Sequence, residues 1–514
     1  MTTLLRRLPA ATRVSGPESA APRRICRRCV ATRSRTYDDA LQLLDTLQAN
    51  AAVKSIFAAS HPSSPATHTH SHDAHHSVPS HAHAAAAPPS PSLNARAIPE
   101  MLAWLSHAGL NPSTLPLRAL HVAGTKGKGS TASYAASVLR AGLRGARVGT
   151  YASPHLVTVR ERISLDGHPI PRDLFARYFF EVWDAVGCAA ASDPGGGSAC
   201  ADGLVRPFYF RFLTILALHA FVREGIRDVV LECGIGGEHD ATNVLPAHAV
   251  SATVVTRLEL DHVAMLGGTR EEIAWHKAGI FRRGVPAFTR PQGSASVMDV
   301  LRSRAAERGA ELVVVSNGEA ARWAGDGAGG PFEGDNRALA AAAALYHIRG
   351  AHGAVSTADE RWMRRAMSGA RLRGRCEVLR RGAATFFLDG AHTPGSVAQI
   401  GAWFGRRSAG AARRVLVFNQ QERDASALLE SLVRAFAPGV FDEAIFTRNE
   451  VEEGGDVIVQ QALAETMARI SPETRVYVEG GLKEALGRIG EADVLVTGSM
   501  YLVGGVLRVL EQGG

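Results

Sequence analysis

The stretch over residues 117–130, LRALHVAGTKGKGS, constrains this chain more than any other. An apolar run (Leu117, Leu120, Val122, Ala123) breaks into Gly124, Thr125, Lys126, Gly127, Lys128, Gly129 and Ser130. Residues 131–143 then carry Ala and Leu at helical spacing. Strand, glycine loop and helix together hold phosphates. Glycines let backbone N–H groups approach the anion, and the helix N-terminus adds partial positive charge. A lysine neutralises the β/γ-phosphates, and a hydroxyl can serve magnesium. The order G-x-x-x-x-G-K-[ST] is not kept, because Gly129 stands in the hydroxyl position and Ser130 follows it. A glycine turn before a surface helix is the plainer alternative; two lysines, three glycines and Ser130-Thr131 favour the phosphate reading.

Around this stretch the chain alternates strand-like and helix-like segments. Residues 147–152, 227–232 and 250–255 read as buried strands; residues 174–186 and 212–223 read as helices between them. Such alternation predicts an α/β fold, a parallel sheet with helices on both faces. The rhythm restarts near residue 371, with strands at 385–388, 415–418, 443–447, 475–478 and 494–497 and helices at 428–436 and 459–470. A second, smaller doubly wound domain follows, with a hinge expected within 348–371. Residues 187–203, with a GGGS core, read as a surface loop. A helix is expected over 36–50 with Thr36 as its N-cap, and another over 98–109. A second glycine-rich stretch, 325–330, precedes an alanine-rich helix over 336–346. Residues 61–91 carry eight histidines and then Ala, Pro and Ser, a disordered insertion rather than a metal site of fixed geometry.

Charge locates a leader. Of the 57 basic and 49 acidic residues behind the net +8, residues 1–36 hold nine arginines and one acid, Glu18, so the rest of the chain is balanced. An arginine-rich, acid-poor leader resembles a mitochondrial transit peptide, which points to the matrix with a cytosolic form beside it. A neutral folded part argues against nucleic acid as a partner. No apolar run is long enough to span a membrane. The six cysteines are scattered and give no disulfide framework, and Cys26-x-x-Cys29 has no second pair to complete a zinc site.

Polar residues gather where the strands of the first domain end. Ser153 follows VGTYA, Glu232 closes RDVVLE, and Asp261-His262 follow VVTRLEL. All should project from the edge that carries Lys128, where a hydroxyl, a carboxylate and an imidazole beside phosphates suggest a divalent cation. Magnesium prefers oxygen, so on its own His262 reads more safely as a hydrogen-bonded structural histidine. Lys277, on a helix ending near Gly279, reads as a solvated lysine. Asp389 and His392, in FFLDGAHTPGS, close a strand of the second domain; the acid could take a ribose hydroxyl or cap a helix.

Seven blocks in order, HVAGTKGKGS, YASPHLVTVRERI, LECGIGGEHDATNV, LDHVAMLG, HKAGIF, DGAHTPGS and FNQQERD, resemble the folylpolyglutamate synthase family of the Mur-type ATP-dependent ligases, in its eukaryotic form. The resemblance implies a P-loop-containing, Mur-ligase-like ATPase domain over 37–369, with the insertion at 56–96, and a Rossmann-like ligase domain over 370–514. It implies that Gly124 to Ser130 hold the triphosphate, with Asn336, Arg375 and Asp389 completing the nucleotide site. It implies Ser153, Glu232 and His262 as magnesium ligands, and Lys277 as a carbamylated lysine serving a second magnesium; Lys128, Lys277 and His262 form the catalytic set. ATP, Mg2+ and a monovalent cation such as K+ are the implied cofactors. Reduced folate, L-glutamate and ATP are the implied substrates, and a monomer is expected. A glutamine common in the family ahead of the Asn336 position is missing from PFEGDNR, residues 331–337. Dihydrofolate synthase, acting on dihydropteroate, is the nearest alternative. A nucleotide-binding regulator without catalysis is the alternative from another class.

Overall fold

The computed structural model describes residues 35–48, 96–189, 198–199, 205–324, 330, 332–353, 355–370, 372–421, 424–435, 441–450 and 456–512. The leader, the histidine-rich insertion, most of the 325–330 stretch and the Glu-Arg of the FNQQERD block lie outside the described residues.

The first sheet follows the order β10-β9-β8-β1-β7-β2-β3-β4. Its strands are β1 (Arg118–Ala123), β2 (Val148–Tyr151), β3 (Ile163–Leu165), β4 (His168–Pro169), β7 (Asp228–Glu232), β8 (Val250–Val255), β9 (Pro286–Thr289) and β10 (Glu311–Val314). β1 lies between β7 and β8 in parallel register and is buried from Ala119 to Ala123, as its unbroken apolar run requires. The expected parallel core runs from β10 to β2, and antiparallel strands are added at one edge. β2 runs parallel to β7, but β3 is antiparallel to both β2 and β4 and turns into β4 through Asp166 and Gly167 at φ 54° and 83°. The Asp-Gly pair is the local signal for that hairpin.

Helix Lys128–Gly142 begins at Lys128, three residues earlier than its alanine spacing suggests, because Gly127 at φ 90° forms its N-cap. Ala132, Ala135 and Ala136 pack against Ala340, Ala341 and Ala344 of helix Glu333–Arg349, and these small side chains let the two helices approach closely. Part of the 348–371 span expected to contain the hinge is helical. Residues 357–368 form a helix capped by the Ser356 hydroxyl, and Met363 and Met367 are buried in the same core as those alanines. The expected loop over 187–203 is also partly ordered: helix Arg172–Ala189 enters it, and β5 (Ser198–Ala199) pairs with β6 (Val205–Arg206).

The second sheet follows β11-β12-β16-β13-β14-β15, parallel except for β11 (Glu377–Arg381), which forms a hairpin with β12 (Ala384–Leu388). β13 (Arg414–Phe418), β14 (Glu443–Thr447), β15 (Arg475–Glu479) and β16 (Asp493–Thr497) complete it, with apolar cores on both faces. Among the described residues no helix is long and apolar enough to cross a membrane. Truncating buried Met367 to Ala should lower unfolding free energy by about 2–5 kcal/mol in denaturant titrations. An unchanged midpoint would show that the helix over 357–368 adds nothing to the core.

Candidate active site between the two sheets

The glycine loop leaves the end of β1 and is fastened by its neighbours. Thr125 and Lys126 backbone N–H groups donate to the Arg257 carbonyl (2.9 and 3.1 Å), and the Thr125 hydroxyl donates to the Glu259 carbonyl (3.1 Å). Gly124 sits at φ +146°, where any Cβ would overlap Thr256. Gly127 faces Asn336, whose Oδ1 also accepts from the Thr131 hydroxyl (3.4 Å). With Thr125 and Lys126 committed to holding the loop, the donors left for an anion are those at the helix start, at Lys128, Gly129 and Ser130, since the first turn of a helix has no internal acceptors.

Glu232 ends β7 and is buried; its Oε2 accepts from the Ser153 backbone N–H (3.0 Å). The Gly129 end of the loop lies against the same oxygen. Burial raises the Glu232 pKa, and Lys128 opposes that rise. Lys277 is not the solvated lysine its local sequence suggests. It is 2% exposed, and Nζ donates to the Gly124 carbonyl (2.9 Å). Burial, reinforced by Lys128, brings its pKa down to about 7.

Lys126 reaches toward the second sheet. Its Nζ lies 3.3 Å from His392 Nε2 and 3.8 Å from Asp261 Oδ2. His392 Nδ1 donates to the Gly390 carbonyl (2.8 Å), leaving Nε2 to accept from the ammonium. Burial holds Lys126 down at about 8, with Asp261 pulling the other way. His262 follows Asp261 at φ 52°, exposed at the start of helix Val263–Leu266. The structure ties it to the loop through Asp261. From the second sheet, Asp389 is buried at the end of β12 and accepts from the Cys376 backbone N–H (2.8 Å). Burial raises its pKa and Arg375 opposes the rise. Among the described residues no three His, Cys, Asp or Glu side chains form a metal cage by themselves. A magnesium set of Ser153, Glu232 and His262 therefore depends on a hydroxyl.

Two features escaped the sequence reading. The turn after Glu232 is locked from behind: Asp240 accepts from the Gly234 and Ile235 N–H groups (2.9 and 3.1 Å) and from the Thr242 hydroxyl (2.5 Å). Cys233 Sγ lies 3.1 Å from His121 Nε2, and burial keeps His121 neutral, with a pKa of about 3. Asp-Ala-Thr at 240–242 is the local signal, an Asx turn. The second feature is a cavity of about 560 Å3 lined by Tyr134, Glu333, Arg337, Arg375 and Cys376. The Tyr134 hydroxyl donates to Glu333 (3.3 Å), and Arg337 pairs with the same carboxylate (2.6 Å).

Residues 374–500 match the family described as Mur ligase, glutamate ligase domain. The chain is 35% identical over 462 residues to a folylpolyglutamate synthase of Saccharomyces cerevisiae, strain FostersO, covering 82% of each chain. Among solved structures, Escherichia coli FolC in complex with ADP superposes with TM-score 0.60 at 26% identity, covering 82% of this chain and 94% of that one. The Mycobacterium tuberculosis folylpolyglutamate synthase complexed with ADP superposes with TM-score 0.65 at 24% identity, covering 80% and 94%. Two α/β sheets in this order, with the phosphate loop on the first and an acid-histidine strand end on the second, are the Mur ligase fold, and the chain belongs to the folylpolyglutamate synthase family.

Proposed function

We propose that the chain uses ATP to join L-glutamate to the γ-carboxylate of a reduced folate, extending it as a polyglutamate. The observation that carries this reading is the meeting of the two sheet edges: Lys126 of the phosphate loop touches His392, three residues beyond Asp389. A carboxylate is a poor electrophile because oxide would have to leave. A folate γ-carboxylate oxygen therefore attacks the γ-phosphorus, the bond to ADP breaks, and an acyl phosphate forms. The glutamate amine attacks that carbonyl carbon, loses a proton, and inorganic phosphate leaves. The helix start and Lys128 neutralise the phosphates, and Arg375 adds charge from the second sheet. Bringing the two edges together over the acyl phosphate excludes water.

The cavity beside Tyr134, Glu333 and Arg337 suits the nucleoside half of ATP, with Glu333 standing near the place of the missing glutamine. Glu232 fits magnesium: it is a desolvated carboxylate beside the phosphate loop, and Ser153 and His262 would be its companion ligands. Magnesium supplies charge neutralisation at the triphosphate when bound. Family resemblance adds K+ as a monovalent cofactor. Lys277 suits carbamylation, because an amine that is half neutral near pH 7 adds carbon dioxide, losing a proton to give a carbamate. This chemistry belongs to one-carbon metabolism, and the arginine-rich leader supports a mitochondrial form with a cytosolic one beside it.

Purified protein given ATP, labelled glutamate and either tetrahydrofolate or dihydropteroate should yield a ladder of glutamylated tetrahydrofolates by mass spectrometry. Lys128→Ala should slow the reaction by about 10²–10³-fold. Incorporation with dihydropteroate alone would make the chain a dihydrofolate synthase instead. Under a fixed pressure of 13C-labelled carbon dioxide, a carbamate resonance should be absent near pH 6, where Lys277 is an ammonium, and grow in by pH 8. The same signal persisting in Lys277→Arg would remove Lys277 from this role.

A further inference from the structure

Sequence position assigns Leu156 to the first sheet, but packing puts it in the core of the second. It lies three residues beyond Ser153, is 8% exposed, and sits in the buried cluster of Leu388, Val415, Val496, Val503 and Leu507. One end of its segment is pinned to the first sheet, and the other to the short 3-10 turn Val159–Arg162 that leads into β3. Ser153 donates to Glu232, while the Leu156, Val157 and Thr158 N–H groups donate to the Glu161 carboxylate (2.9, 3.1 and 2.9 Å). Between those anchors the Leu156 side chain crosses to the other sheet. It lies against Gly374, where an added Cβ would stand 2.9 Å from a Leu156 methyl, and its carbonyl lies flush against Gly504 of helix Met500–Gln512. Gly374 directly precedes Arg375, and its carbonyl accepts from Gly390, next to Asp389 (3.1 Å). The Leu156 side chain, with Val157 packed against the same cluster, therefore stands between the Ser153–Glu232 half of the site and the Arg375–Asp389 half.

We infer that Leu156 is a positioning residue that sets the spacing of those two halves, so that groups from both sheets grip one nucleotide in register. Rotation of one sheet past the other would have to withdraw a buried leucine from the core, which resists the motion without needing directional bonds. Catalysis by alignment is steep: a misplacement of about 1 Å costs on the order of 10²-fold in rate. This inference rests on the ligase reading above.

The test compares wild-type full-length chain with Leu156→Ala and Leu156→Met, reading kcat, the KM for each substrate, and ADP released per glutamate incorporated. Leu156→Ala should lower kcat by about 10- to 100-fold. It should also raise the ADP-to-product ratio above one, because a misregistered cleft admits water to the acyl phosphate. Leu156→Met, which refills the site, should restore a ratio of one and a kcat within about threefold of wild type. A lower kcat with the ratio still at one and every KM unchanged is the signature of lost folded protein, and overturns the inference. Wild-type kcat in Leu156→Ala overturns it too and leaves the ligase reading standing. If Leu156→Ala does not fold, Leu156→Val is read by the same ratio and the same outcomes. Wild-type protein that extends no folate sinks the ligase reading, and this inference with it.

Discussion

Buried charge at one cleft is the constraint on which the rest of the molecule depends. Lys277 and Lys126 are held well below the ordinary lysine range, while Glu232 and Asp389 are pushed above the ordinary carboxylate range. In each case burial is the leading cause: charges are taken out of water without enough local counter-charge to compensate. A triphosphate with a divalent cation brings both signs at once. The architecture serves to keep these groups desolvated, with β1 in the middle of its sheet carrying the loop and helix Lys128–Gly142 presenting its positive end.

The fold was legible where periodicity was strong. β1, β7, β8 and the parallel strands of the second sheet stand within a residue of where their apolar runs begin and end. Where the structure adds detail, the signals were local rather than periodic. The β3–β4 hairpin at the sheet edge is set by Asp166-Gly167, a turn signal rather than a periodicity. Helix Thr357–Ser368 falls inside the 348–371 span expected to hold the domain hinge, and its buried face rests on Met363 and Met367. The 187–203 stretch hides the end of a helix and a short ribbon among its glycines.

The site was legible by residue type but not by pairing. Nothing local in WHKAGIF announces that Lys277 will donate to Gly124, because the contact spans 153 positions in the chain. The same holds for Lys126, which sits in a phosphate loop yet reaches Asp261 and His392. Asn336, on helix Glu333–Arg349, faces Gly127, although the glutamine ahead of it is absent. Such contacts follow from the stacking of two sheets, and only their ingredients are written in the sequence.

The most direct test of this account is a crystal structure with a non-hydrolysable ATP analogue and magnesium. The triphosphate should lie on the backbone N–H groups of Lys128, Gly129 and Ser130, with Glu232 beside the metal and the base in the cavity lined by Tyr134. A nucleotide bound away from that helix start, with Lys277 and Glu232 still lacking counter-charge, would contradict it.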